Sequence, residues 1–220
     1  MKRTAPRSLG LYLLLSFAAV TAISATAGCN VIGFIAGMGE SRKQEVKAAY
    51  TDLEDQRIAV MVIADDSTAA RHREAMSKLR RWIAARIAGQ VPDVTLSDPD
   101  QLERFEDENP YWTSLPHGDL PERLDVDRVV LVDIHRYGLR SPEARDMWLG
   151  RFDARVGVIE AEARMGRDFV YETEVSVRFP EDSPYGVADA TQRSIEHGLI
   201  ESASRAVARL FHDHTVESGR

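Results

Sequence analysis

The sequence predicts a mixed α/β sandwich, preceded by a removable leader and a tether, and three patterns carry that expectation. Residues 58–64 form an unbroken apolar run, the mark of a strand covered on both faces. Residues 148–158 and 169–179 alternate apolar and polar side chains, as antiparallel strands with one solvated face do. Other segments carry apolar residues three and four apart, the spacing of amphipathic helices. The expected order is strand, helix, strand, helix, three strands, helix, and the sequence leaves two or three layers open. Of the 220 residues, 44% are hydrophobic and 29% charged, an ordinary globular composition with room for one domain and extra segments.

The α/β domain is expected over residues 57–214. After the first strand, Asp65-Asp66-Ser67 supplies an N-cap for a helix reaching about Ala88. Met76, Leu79, Ile83 and Ile87 fall on one face of it, away from Arg71, Glu74, Lys78 and Arg81, and Gly89 ends it. Residues 94–96 make a short second strand. Asp98-Pro99-Asp100-Gln101 combines an N-cap, a proline at the first helical position and a capping-box partner. That helix runs to about Asp107 and is broken by Asn109-Pro110. A looser stretch through Pro116 and Pro121 holds one helical turn at residues 120–124. Residues 129–137 form the next strand, and a turn near Met165-Gly166-Arg167 joins the two alternating strands. A long helix over residues 187–212 buries Ile195, Leu199, Ala203, Ala206 and Leu210, and residues 215–220 are expected as a disordered tail.

Residues 1–28 stand apart from this domain. Lys2, Arg3 and Arg7 precede an apolar stretch at residues 9–23, short for a membrane span, and small residues then lead to Thr26-Ala27-Gly28-Cys29. The Ala27-Gly28-Cys29 ending resembles the lipobox of bacterial lipoproteins, with Thr26 where leucine is typical. The resemblance implies cleavage before Cys29 and acylation of that cysteine, so that the membrane is a partner through its lipid anchor. Each buried methylene contributes about 0.8 kcal/mol, and two or more chains anchor stably. Asn30, rather than aspartate, follows the cysteine. By the sorting rule that belongs to the resemblance, this favours the outer over the inner membrane, on the periplasmic face. Residues 29–56 read as the lipidated N-terminus and tether, apolar and glycine-rich at 30–39 and polar with helical tendency at 40–53. At about 3.4 Å per extended residue this length lets the domain stand off from the bilayer.

Loss of the leader's three basic residues takes the formal charge from -7 to -10, which argues against nucleic acid as a partner. A single cysteine excludes an internal disulfide framework and a cysteine-built zinc site. The sequence holds no zinc-protease, nucleophile-elbow, phosphate-loop or dinucleotide motif. No catalytic residue, metal ligand or cofactor is therefore assigned, and an enzyme is not expected. His212 and His214 stand one residue apart at a helix end, without a shared face. His135 alternates with Asp133 on a strand, and the two are expected to hydrogen-bond at the sheet margin. Asp65-Asp66 with Asp133 is a pattern for holding Mg²⁺ in a phosphoacceptor domain. The late lysine such a domain needs is missing, since Lys78 is the last, and a strand end with a helix cap accounts for the pair. Tyr111 and Trp112 are the candidate partner contact, because these residue types dominate binding hot spots. The favoured alternative tucks them under their loop as a satellite of the core.

The succession of Cys29, a polar lead-in, Arg57-Ile58-Ala59-Val60-Met61-Val62, an amphipathic helix, Leu124-Asp125-Val126-Asp127-Arg128-Val129-Val130-Leu131-Val132, two long alternating strands and a final helix carries a second resemblance. It resembles the superfamily of bacterial envelope lipoproteins that includes the curli secretion channel and the activators of penicillin-binding proteins. It is similar in layout to the N-terminal domain of TolB. The resemblance covers roughly residues 57–212, rests on topology, and implies binding or assembly in the envelope without catalysis. A curli-like pore is not expected. Residues 138–147, polar and carrying Pro142, and the proline-rich 108–127 supply no pair of spanning strands of about 9–11 residues each. The expected function is a membrane-anchored, non-enzymatic module that binds an envelope protein or its own copies through a sheet edge or helix face. The alternatives are an accessory subunit of an export or lipid-transport machine, and an envelope hydrolase or carbohydrate-binding protein using a scattered carboxylate pair.

Overall fold

The apolar run at residues 58–64 builds a central strand, and the other elements are arranged on its two faces. The computed structural model describes residues 42–144, 146–160 and 169–218. Cys29, the leader and the turn expected at 165–167 lie outside the described residues. In chain order the elements are β1 (Arg42–Val46), β2 (Arg57–Ala64), α1 (Asp66–Arg71), α2 (Arg73–Ala88), β3 (Thr95–Leu96), α3 (Pro99–Glu108), α4 (Leu120–Leu124), β4 (Arg128–Arg140), β5 (Trp148–Glu160), β6 (Tyr171–Phe179), α5 (Gln192–Ala208) and β7 (His214–Ser218). Five strands form a mixed sheet in the order β3-β2-β4-β5-β6, with β2 parallel to β3 and β4, and with β5 antiparallel to β4 and β6. The fold is the expected α/β sandwich.

Alternate residues of β2 enter different cores. Ile58 and Val60 join Val130, Val132, Phe152, Val156 and Val158 beneath α2 and α5, which contribute Leu79, Ile83, Ile195 and Leu199. Ala59 and Met61 join Val129, Leu131 and Ile159 on the opposite face. That second core is closed by Leu102 and Phe105 of α3, by Trp112, and by Leu120 and Leu124 of α4. The β2–β4 half of the sheet is thus the middle of three layers.

The segment between α4 and β4 shows why an aspartate-rich turn precedes an apolar strand. Asp125 caps α4 at φ 51°, a left-handed conformation that aspartate tolerates better than most residues. Two residues on, the Asp127 carboxylate accepts the Arg57 backbone N–H at 2.8 Å, and the Asp127 N–H donates to the Arg57 carbonyl at 2.8 Å. The start of β4 is thereby locked to the start of β2, which sets the parallel register.

Six local expectations are corrected. The helix expected from residue 66 to 88 is interrupted at His72 (φ -125°, ψ 30°), whose ring packs 4.9 Å from that of Tyr137. Ala75 takes the buried place expected of Met76, which is half-buried. Asp98 caps α3 through the Asp100 N–H, but Gln101 closes no capping box; its side-chain amide donates to the Leu124 carbonyl at 3.2 Å and ties α3 to α4. The last helix starts at Gln192 rather than 187, because Thr191 and Ser194 cap it reciprocally while Val187 bridges Trp148. The stretch read as a polar, helix-prone lead-in holds β1, which pairs with β7 in a two-stranded sheet. Leu53 has no exposed surface, and β7 occupies most of the stretch expected to be a disordered tail. The Gln101 tie, the Val187 bridge and the β1–β7 pairing share one physical source: a partner distant in the chain overrides a local preference.

Candidate functional site

The sheet presents two incomplete boundaries, and the first lies beside β2. β3 pairs only with Arg57 and Ile58, so among the described residues no strand lies beside residues 60–64 on that side. The last rung is the Ser97 N–H donating to the Ile58 carbonyl at 2.8 Å. Backbone groups alternate in direction along a strand, so those of Val60, Val62 and Ala64 face the same way as the Ile58 carbonyl. α2 and α3, on opposite faces of the sheet, flank this edge. Arg80 of α2, with a side chain only 11% exposed, crosses between them to Glu106 (Nη1–Oε1 2.9 Å) and Glu103 (Nη2–Oε1 3.5 Å). A cavity of about 370 Å³ lies on one side of this bridge, over Val62, Ala64, Ala70 and Met76 with Arg73 at its margin. A smaller one of about 130 Å³ lies over Val60, Ala84, Leu96 and Leu102. A crevice outside the carboxyl end of a strand, where connections leave to opposite faces, is where open α/β sheets bind ligands.

The second boundary is β6, the last strand of the sheet among the described residues, and beside it lies the polar face that β4, β5 and β6 share. Arg155 reaches Asp133 at 2.9 Å and Glu172 at 3.4 Å, Arg136 reaches Asp153 at 3.3 Å, and Arg151 reaches Glu143 at 3.0 Å. Hydrogen bonds from its own backbone N–H and from Ser141, with the Arg151 charge, hold the Glu143 carboxyl below its usual range. Pairs this exposed contribute about 0–1 kcal/mol each. Their effect is to fix side-chain positions across three strands and to occupy Asp133, Glu143, Asp153 and Glu172 with arginines.

The residues singled out in the sequence fall in different places. Trp112 is 7% exposed and belongs to the second core, whereas Tyr111 is 81% exposed. The 3-10 turn that begins at Trp112 separates the two side chains, so they do not form one contact patch. Asp65 is a helix cap: one carboxylate oxygen accepts the backbone N–H groups of Ser67 (3.0 Å) and Thr68 (3.2 Å) and the Ser67 hydroxyl (2.6 Å). Those bonds hold its pKa down at about 2. Asp133 engages Arg155 rather than His135, because a register shift between Ile134 and Arg136 leaves His135 without a strand partner and exposed. His212 and His214, expected apart, bring their rings to 5.8 Å because His214 opens β7 rather than ending a helix.

One cluster carried no sequence signal. His72 faces Glu196 at 3.7 Å and packs its ring, tilted by 58°, against that of Tyr137, whose buried hydroxyl has no hydrogen-bond partner among the described residues. Burial, and then Glu196, push the Tyr137 phenol well above its ordinary range. The three come from a helix junction, a strand and the last helix, so no spacing along the chain links them. Among the described residues no group of three or more His, Cys, Asp or Glu side chains could hold a metal ion, and no helix is long and apolar enough to cross a membrane.

Neither a family model nor a curated protein matches this chain. Solved structures do. The PelC dodecamer from Paraburkholderia phytofirmans is 13% identical, with 78% of this chain and 97% of that chain covered and a TM-score of 0.40. Lipoprotein GNA1162 from Neisseria meningitidis is 10% identical, covering 69% and 96%, with a TM-score of 0.41. A chain from Caulobacter crescentus described as a lipoprotein is 14% identical, covering 68% and 84%, with a TM-score of 0.30. The last two are bacterial lipoproteins; at these scores the likenesses carry no argument about what this chain does.

Proposed function

We propose that this protein is a non-enzymatic envelope lipoprotein, held on the periplasmic face of the outer membrane by acylated Cys29, whose domain binds a protein partner or its own copies. The reading places it with the envelope lipoproteins it resembles in sequence layout. The observation that supports a binding role is that, among the described residues, the sheet stops at two open strand edges. One is β2 beyond Ile58, between α2 and α3; the other is β6. Open edges offer unpaired main-chain groups, which β-strand addition uses for affinity, while flanking side chains set specificity.

Site-specific photo-crosslinking in intact envelopes tests the reading. A crosslinker at Ser77, beside the β2 cleft, or at Ser176, on β6, is expected to capture a defined envelope protein or a second copy. Cys29→Ser, which removes the anchor, is expected to abolish capture of a membrane partner. A chain that crosslinks to nothing from either edge overturns the binding role, and a bare Cys29 thiol in the native product overturns the anchor. An export or lipid-transport subunit would be recognised by the identity of the captured protein. The hydrolase alternative has less support, because Asp133, Glu143, Asp153 and Glu172 beside the polar sheet face are occupied by arginines.

A further inference from the structure

Among the described residues β6 ends the sheet and pairs with β5 on one side only. Its sequence, Tyr171-Glu172-Thr173-Glu174-Val175-Ser176-Val177-Arg178-Phe179, is close to its own antiparallel complement. With two copies of Val175 face to face, Tyr171 meets Phe179, Glu172 meets Arg178, Thr173 meets Val177 and Glu174 meets Ser176, and each of these pairs occurs twice. We propose that the protein forms a two-fold dimer by pairing β6 with β6 of a second copy in this register, joining two five-stranded sheets into one. The inference rests on the reading of the protein as an assembly module and names the partner at one of its two edges.

The charges within one copy favour this partner. Arg178 stands directly opposite Arg151 of β5, and like charges opposite one another in a sheet are destabilising. Arg151 is engaged by Glu143, while Arg178 forms no ion pair among the described residues. Glu172 of a second copy supplies the missing counter-charge. Within its own copy, Glu172 shares Arg155 with Asp133, which lies closer to that arginine, and Glu172 remains exposed. Glu172, Glu174, Ser176 and Arg178 are all exposed, whereas Tyr171, Thr173, Val177 and Phe179 are half-buried on the face that α5 covers.

The register follows from the same residues. A one-residue slip would continue the polar face of one copy into the apolar face of the other. A two-residue slip one way sets Glu174 opposite Glu174; the other way sets Glu174 opposite Arg178 but Glu172 opposite Pro180, which has no N–H to donate and lies past the end of β6. Charges on an edge strand normally deter pairing. Here they deter a generic strand and accept a copy of this one, which is how charge complementarity gives specificity.

The full-length lipoprotein in detergent tests the pairing by sedimentation. The wild type is expected to dimerise. R178E, which turns both Glu–Arg pairs into like-charge pairs, is expected to raise the dissociation constant about tenfold or more, and E172R/R178E to restore it. Equal melting temperatures of wild type and R178E at concentrations below the wild-type dissociation constant, where both are monomers, would separate lost pairing from lost folding. Register is read by mixing copies carrying E174C with copies carrying S176C. A heterodisulfide is expected in the mixture, above the level formed by either variant or the wild type alone. A monomeric wild type, or a dimer indifferent to R178E, overturns the proposal. If such a chain still crosslinks to another envelope protein, the assembly role survives; if it crosslinks to nothing, both readings fail.

Discussion

The Tyr50 hydroxyl donates to Glu160 Oε1 at 3.0 Å, fastening the segment before β2 to the far end of β5. Its ring also lies 5.5 Å from that of Tyr171 and meets Phe211 edge-on at 6.4 Å. Burial, and then Glu160, push the phenol up to about 12. Tyr50→Phe is expected to cost about 0.5–1.5 kcal/mol near neutral pH, the net value of one hydrogen bond. A raised pKa favours the protonated form in the folded state. Its stabilisation is therefore complete below the ordinary phenol value of 10.0 and is lost as pH rises through about 12. Denaturant midpoints measured across this window should fall less steeply for Tyr50→Phe than for the wild type; parallel curves would contradict the assignment.

Leu53 makes the complementary point with no polar group. It has no exposed surface and belongs to the core beneath α2 and α5. Leu53→Ala should cost about 2–5 kcal/mol in chemical denaturation, the range for a buried leucine. A chain cut to begin at Arg57 should lose at least as much. If both fold with wild-type stability, the residues before β2 are a tether after all.

Trp112 and Tyr111 are separable by one experiment because they differ so widely in burial. Trp112→Ala should destabilise by about 3–5 kcal/mol, and Tyr111→Ala should stay within about 0.5 kcal/mol of the wild type. A reversal of that order in thermal or urea unfolding would show that the loop is arranged otherwise.

Gly198 in the middle of α5 is required by its neighbour on β6. A Cβ there would overlap the Phe179 ring. Alanine gains up to about 1 kcal/mol in helix propensity, against about 1–3 kcal/mol for overpacking. Gly198→Ala should therefore be destabilising on balance. Its cost should shrink in a Phe179→Leu background, since residues in contact do not behave additively. Equal costs in the two backgrounds would remove Phe179 as the cause.

Asp65 contributes to behaviour at the acid end. With its pKa lowered from 3.8 to about 2, the ionised cap stabilises α1 fully above the ordinary value, and that contribution is lost as pH falls through about 2. Asp65→Ala should lower the unfolding midpoint at neutral pH and flatten the acid limb of the stability profile. A neutral-pH loss without a change in the acid limb would mean that the cap works without its charge.

The elements most legible in the sequence are those whose signal is local. β2 is recognisable from its apolar run, and β5 and β6 from alternation. α2 is recognisable from Leu79, Ile83 and Ile87, which lie on one face and are buried. The second core was half legible: α3 announced itself through Asp98 and Pro99, but nothing near Trp112 indicates that Met61 and Leu131 lie above it. The polar face was legible as a row of charges and not as a set of pairs, because Arg155 meets Asp133 only through the β4–β5 register, and Arg136 meets Asp153 only through the shift near His135. The His72–Tyr137–Glu196 cluster left no trace along the chain.

By itself the sequence determined the class of fold, the identity of most strands and helices, the acidic charge and the lipobox-like ending at Cys29. Those depend on residue type and on spacing within a few positions. Tertiary structure alone decided that β1 and β7 are strands, that the helix before Arg73 breaks, that Trp112 is interior and Tyr111 is not, and that β2 and β6 present open edges. Each of these is settled by which distant segment satisfies a backbone group or fills a volume, and such partners are chosen only once the whole chain has packed.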